Sequence, residues 1–233
     1  MSARPVLSLT LAALWLAGCQ TGVYRQEAKL GKPLGQARIL LMPVDVELSR
    51  VTAAGLYEPK ADWTDEARLY LTAALRREET AHGATIVDYD PEALPEKLRD
   101  EAHQLVKLHN AVGAEIQDHQ YATVNALPSK RGRFDWSLGP AAKDLKAATG
   151  ADYALFSAMR DSYTGTGRAL LILAAAAFTI PVLGGNQSGF ASLVDLETGD
   201  IVWFNRLERF TGNLRSQEAA NEVAETLLAD LPP

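Results

Sequence analysis

A second cysteine is missing from this chain of 233 residues, so no disulfide can close within it and stability must come from packing. Long hydrophobic runs are missing too. At about 1.5 Å per residue, the apolar stretches 6–17 and 169–183 both fall short of a hydrocarbon core of roughly 30 Å, so neither is expected to span a bilayer as a helix. Positive charge is not in excess: 23 Lys and Arg stand against 29 Asp and Glu, for a formal net charge of −6. Nucleic acid and anionic headgroups reward basic patches through counterion release, so neither is expected as a general partner. Nucleotide-binding fingerprints are absent, because Gly165-x-Gly167 and Gly184-Gly185 match neither GxGxxG nor a Walker pattern. Ser188, in Gly185-Asn186-Gln187-Ser188-Gly189, lacks the spacing of a nucleophile elbow. No repeat at a fixed period is visible.

What is present begins with an address. Leu16-Ala17-Gly18-Cys19 closes the run 6–17 after a single early Arg4, the pattern of a lipoprotein signal peptide with small residues before the cleavage point. Residues 1–18 would then be removed, and Cys19 would become an N-terminus carrying acyl chains, palmitate among them. One acyl chain gives marginal anchoring at about 0.8 kcal/mol per buried methylene, whereas several make attachment effectively permanent. Gln20 after the acylated cysteine favours sorting to the outer membrane, since the retention signal of diderm bacteria places Asp there. The expected location is therefore the periplasmic side of the outer membrane. Residues 19–37, with Gly22, Gly31, Pro33 and Gly35 and little periodicity, read as a flexible tether.

A single α/β domain is expected over 38–233, with 47% hydrophobic residues to supply its core. Ile39-Leu40-Leu41-Met42 is a short continuous apolar run suited to a strand buried on both faces, ended by Pro43, with a loop following to about residue 62. Ala67, Leu71, Ala74, Leu75 and Ala81 recur at helical spacing over 64–82. A strand is expected at 85–89. A helix opening at Pro95 carries the stripe Leu98, Ala102, Leu105, Val112 and Ile116, and a short helix runs from Pro140 to Thr149-Gly150. Residues 153–159 read as an interior strand. Residues 190–196 and 201–207 read as a hairpin about Glu197-Thr198-Gly199-Asp200, and 216–231 as an amphipathic helix closing over the sheet. The sum is a mixed sheet of about five strands flanked by helices.

Two segments carry a family resemblance: Gly150-Ala151-Asp152-Tyr153 leading into an apolar strand, and Val194-Asp195-Leu196-Glu197-Thr198-Gly199-Asp200-Ile201-Val202-Trp203. Together with the Met42-Pro43 pair, this order resembles the curli-secretion-channel lipoproteins and the lipoprotein activators of penicillin-binding proteins. The resemblance implies an α/β domain of the type found in the N-terminal part of the Tol-system propeller protein. A propeller itself would need the hairpin several times over, and it occurs once. Unlike the curli channel, the chain has no pair of alternating segments suited to a transmembrane barrel hairpin.

Candidate sites yield to structural explanations one by one. His103 and His109 are six residues apart and face different sides of one helix, while metal-binding helices use spacings of three or four. His109 lies near the apolar stripe and is expected as a core histidine. Asp195, Glu197 and Asp200 are expected to serve the hairpin turn, and Trp63, Phe134, Trp136, Tyr163 and Trp203 to pack in the core. No catalytic residue, metal ligand or cofactor is therefore assigned. The run 169–183 remains. It is expected to pack into the core; the alternative is an exposed membrane-dipping or subunit-contact element built on Leu170, Leu171, Ile172, Leu173 and Phe178, since it is apolar on every side. The expected function is that of a lipid-anchored, periplasm-facing lipoprotein acting through protein contacts in envelope assembly, secretion or cell-wall regulation, with a homo-oligomer among the open states. A periplasmic hydrolase or small-ligand-binding lipoprotein is the alternative.

Overall fold

The computed structural model describes residues 24–27, 30–210 and 212–232. The expected signal peptide 1–18 and Cys19 lie outside these residues. In chain order the elements are β1 (Tyr24–Glu27), β2 (Arg38–Leu41), β3 (Asp45–Val51), β4 (Tyr57–Pro59), α1 (Ala61–Ala81), β5 (Thr85–Asp88), α2 (Glu96–Ile116), α3 (Ala142–Thr149), β6 (Tyr153–Thr164), α4 (Thr166–Ala176), β7 (Gln187–Asp195), β8 (Ile201–Arg209) and α5 (Gln217–Leu228). The strands form one mixed eight-stranded sheet in the order β1-β8-β7-β6-β2-β5, with β3 also on β6 and β4 outside β3.

Strand β6 is the axis. Its first half pairs in parallel with β2, from Ile39↔Tyr153 to Leu41↔Leu155, and its second half pairs in parallel with β3, from Asp45↔Ala158 to Val51↔Thr164. Antiparallel β7 follows the other edge, from Tyr153↔Asp195 to Asp161↔Gln187. Helices cover both faces. One carries Ile39, Leu41, Leu155 and Trp203 against the apolar stripes of α1 and α5; the other carries Leu40, Met42, Phe156 and Phe204 against α2 and α3. Dry on both sides, the central strands need no polar alternation, which is why they read as continuous apolar runs. Helix α2 comes so close that a Cβ at Gly113 would sit 2.0 Å from the Phe190 ring.

The Gly150-Ala151-Asp152-Tyr153 motif fastens the incoming chain. Asp152 Oδ2 accepts from the Arg38 amide at 2.9 Å and from Lys32 Nζ at 2.8 Å, while the Tyr153 hydroxyl accepts from the Lys32 amide and donates to its carbonyl. Residues 30–37, within the expected tether 19–37, are accordingly held to the domain. Strand β1 pairs antiparallel with β8, from Tyr24↔Arg206 to Glu27↔Trp203, and Leu34 is fully buried. The pairing uses main-chain groups, so the polar sequence Tyr-Arg-Gln-Glu gave no strand signal. The expected loop 43–62 also holds structure: Val46 and Leu48 are buried with Glu47 exposed between them, but the alternation breaks at buried Ser49 and exposed Arg50, so the segment between Pro43 and Gly55 carried no sustained period-two signal.

Buried polar groups are mostly employed. Asp161 on β6 accepts from Gln187 Nε2 at 2.7 Å, from the Leu214 amide at 3.0 Å and from the Tyr163 hydroxyl, tying the segment after β8 to the sheet. Asn205 Nδ2 donates to the carbonyls of Leu227 and Thr226 near the end of α5. Glu79 on α1 is an exception that carries an ionisable group. It is fully buried, and neither carboxyl oxygen has a hydrogen-bond partner. Burial pushes its pKa up from 4.5 to about 8, so the folded protein holds it neutral at pH 7.

The unfolded chain ionises Glu79 above about 4.5 while the folded chain keeps the proton to about 8, so its contribution to stability is complete below 4.5 and is lost as pH rises to 8. Glu79→Gln should flatten that slope, on the order of a few kcal/mol across the window in urea unfolding. An unchanged slope in the variant would show that the proton is not held there.

Candidate functional site

The connection between β6 and β7 departs from what its neighbours require. Two adjacent antiparallel strands can be joined by two residues, yet here 165–186 intervene and fold into α4 and a return segment. Helix α4 has no buried residue. Leu170, Leu173 and Phe178 are exposed by 63%, 70% and 75%, Leu171 is exposed as well, and Ile172 is half-buried. The expectation that this run packs into the core is therefore wrong. Its apolar residues show a demand for burial, but both sheet faces are already occupied by α1, α5, α2 and α3, leaving no place on the core for a fifth helix. The run is exposed, as the alternative requires.

The lobe is held at its base by polar contacts. Arg168 donates through Nε and Nη2 to the Leu183 carbonyl at 3.1 and 2.9 Å, and the Thr164 hydroxyl accepts from the Gly185 amide at 2.9 Å. Beside it, Tyr57, Leu183 and Phe210 line a shallow cleft of about 380 Å³. These residues come from the start of β4, the return segment and the residue after β8. One end of the sheet thus gathers exposed apolar side chains from three connections, among them Leu56 and Ile180. Exposed apolar patches of this kind mark contact with protein or lipid.

The remaining candidates fall where their chemistry is spent. His109 is fully buried and burial lowers its pKa to about 3, so it is neutral; its ring stacks on Phe156 at 5.0 Å between centroids. Its Nε2 lies 2.9 Å from Ser192 Oγ, a Ser–His pair, but Ser192 is also fully buried and no substrate could reach it. His103 borders a separate open cleft with Asn110. In the hairpin, Asp195 Oδ1 accepts from the Glu197 amide at 2.7 Å and Thr198 Oγ1 from the Asp200 amide at 3.2 Å. Glu197 is held below its ordinary pKa by hydrogen bonds from Lys143 and then Lys146. Trp203 is core, while Trp63 and Tyr163 meet edge-on at 5.6 Å with Arg215 over both rings.

A groove of about 390 Å³ beside the hairpin is lined by Phe134, Asp135, Trp136, Asp195, Thr198 and Asp200. It was not visible in sequence, because 133–136 is far from the hairpin along the chain and joins it through the Ser137↔Asp200 bridge. Asp135 is occupied by Lys130 and Arg133, and its pKa is held down chiefly by the Lys130 hydrogen bond. Among the described residues no three His, Cys, Asp or Glu side chains stand where they could hold a metal ion, and no helix is long and apolar enough to cross a membrane.

No family model matches the chain, so the resemblance to the curli-channel and penicillin-binding-protein-activator lipoproteins rests on its short motifs alone. No curated protein matches either. Among solved structures the chain is similar to a PelC dodecamer from Paraburkholderia phytofirmans in space group P6, at 12% identity and a TM-score of 0.43, covering 91% of this chain and 98% of that one. A single-substitution variant of the same PelC dodecamer, in space group C2, is similar at 14% identity and a TM-score of 0.42 over the same shares.

The hairpin is read as structural, and Gly199 tests it. Its φ of +81° is in the left-handed region and an added Cβ would lie 2.0 Å from the Gly139 carbonyl oxygen. Gly199→Val should cost about 1–3 kcal/mol for the backbone alone, read by urea unfolding, with displacement of Gly139 adding to it. Asp195→Asn should affect activity in cells only as far as it affects folding. A fully folded but inactive Asp195→Asn protein would return the hairpin carboxylates to the list of chemical groups.

Proposed function

We propose that this protein is a lipid-anchored lipoprotein on the periplasmic side of the outer membrane that works through contacts rather than catalysis, in envelope assembly, secretion or cell-wall regulation. The observation that carries the reading is α4, an apolar helix with no buried residue held out from a domain whose core is already complete. A domain built to act on a small substrate would place convergent polar groups in a cleft. Here the Ser–His pair is sealed, and the groove carboxylates Asp135 and Asp195 accept hydrogen bonds from neighbouring donors. The anchor belongs to Cys19 and the lipobox before it.

The two parts of this reading are tested separately. Metabolic labelling with an alkynyl fatty acid should mark the wild type and not Cys19→Ala, which should remain unprocessed at the inner membrane. Equal labelling of both would remove the anchor. For the lobe, replacing Leu171 and Leu173 together with Asp should leave the thermal melt of the domain nearly unchanged, within about 0.5 kcal/mol for each surface site, while abolishing its associations in cells detected by crosslinking. Two unpaired charges in a core would instead cost several kcal/mol each against a total stability of about 5–15, so an unfolded double variant would show the lobe to be part of the core.

A further inference from the structure

We propose that the lobe of α4 and residues 177–183 inserts into the hydrocarbon of the membrane leaflet that also holds the acylated N-terminus, and so serves as a second anchor that fixes how the domain stands. The inference rests on the lipid-anchor reading above. Its occupant is argued from the helix itself. Leu170, Leu171, Ile172 and Leu173 are consecutive, and successive residues on a helix point about 100° apart, so these four cover its whole circumference. A protein partner, a second copy included, docks on one side of a helix and leaves the other to water, which a polar stripe then serves. Residues 169–178 have no such stripe, and no charged side chain occurs from Ala169 to Val194. Only a medium that surrounds the helix matches that composition.

The backbone and the dimensions agree with shallow insertion. The helix satisfies its own main chain, the turn after it is closed by the Phe178 and Ile180 amides donating to the Ala175 carbonyl, and the Leu183 carbonyl is taken by Arg168. Eleven residues of α4 measure about 16 Å, on the order of one leaflet of hydrocarbon. Arg168, at the foot of the helix, is placed for the headgroup level.

The independent observation is the direction in which the chain enters the sheet. Because β1 runs antiparallel to β8 with Tyr24 opposite Arg206, Tyr24 is reached from the Arg209 end of β8. That end also holds Gln187, Arg209's partner, and Thr164, and it is where α4 projects. Cys19 precedes Tyr24 by five residues, a reach of at most about 18 Å. The anchor and the lobe therefore leave the domain from the same end of the sheet. The hairpin about Thr198 and Gly199, with the Trp136 groove, lies at the opposite end and faces away from the membrane.

Cys19 is the sole natural cysteine, so Leu173→Cys and, separately, Thr198→Cys each give the acylated full-length mature protein one site for an environment-sensitive fluorophore. Both side chains are exposed, and melting curves matching wild type confirm folding. Each labelled protein is reconstituted into vesicles of phosphatidylethanolamine and phosphatidylglycerol with or without nitroxide-bearing lipids. The expected result is a blue-shifted emission at 173 that is mostly lost to nitroxide lipids, with emission at 198 unaffected. A probe at 173 that lipid nitroxides leave intact overturns the proposal, whether it is open to aqueous quencher or shielded by a second copy in a concentration-dependent way. Quenching at both sites overturns the orientation. Intact mass reports acylation separately, so a lipid-quenched lobe on a chain found unacylated would retire the anchor reading and leave the insertion standing.

Discussion

Strand β6 must remain dry on both faces while serving two parallel neighbours on one edge, β2 along its first half and β3 along its second. Most of the architecture follows from that constraint. Two parallel partners on one edge mean that the chain passes from β2 to β3 without reversing, and Pro43, which cannot donate to a ladder, falls in the break between them. Covering both faces consumes α1 and α5 on one side and α2 and α3 on the other. Some of the polar groups admitted to this interior join layers, as Asn205 joins β8 to α5 and Asp161 joins β6 to β7 and the segment after β8.

The same completeness explains α4. Four helices close the two faces, so a fifth apolar helix inserted between β6 and β7 has no interior left to enter and is displayed at the end of the sheet. Its isolation is supported: Arg168 bonds to the Leu183 carbonyl, and Gly185 to Thr164, so the base of the lobe is polar and ordered while its body is apolar and exposed. Glu79 shows the opposite compromise, a carboxyl left without a partner inside the domain and kept neutral by its surroundings.

The parts of the fold legible in the sequence were those whose environment acts on every residue of an element. Ile39 to Met42 and Tyr153 to Met159 are apolar throughout because both sides of their strands are covered, and the stripes of α1, α2 and α5 repeat because one side of each is covered. His109 was readable as core from its place on such a stripe. What was illegible depended on relations between distant segments. Strand β1 is specified by the free edge of β8 and not by its own four residues. The Trp136 groove is made by a bridge between Ser137 and Asp200. The run 169–183 announced that it needed an apolar environment, but whether the domain had room for it depended on four other helices. Its composition carried the useful signal, since a core helix needs an apolar stripe and this one is apolar all round.

Pairing of β1 with β8 has a mechanical consequence. A load applied through the residues before Tyr24, as the proposed anchor would apply it, acts along the axis of β1, away from the Glu27 end, and so bears on its four register pairs together. Hydrogen bonds loaded in parallel shear give way collectively, whereas the same bonds opened from one end part in sequence. The short strand is thus oriented as a strain relief between the chain that precedes it and the Lys32–Asp152 fastening behind it. Were it to slip, β8 would be left with an unpaired edge, a template for strand addition by another chain.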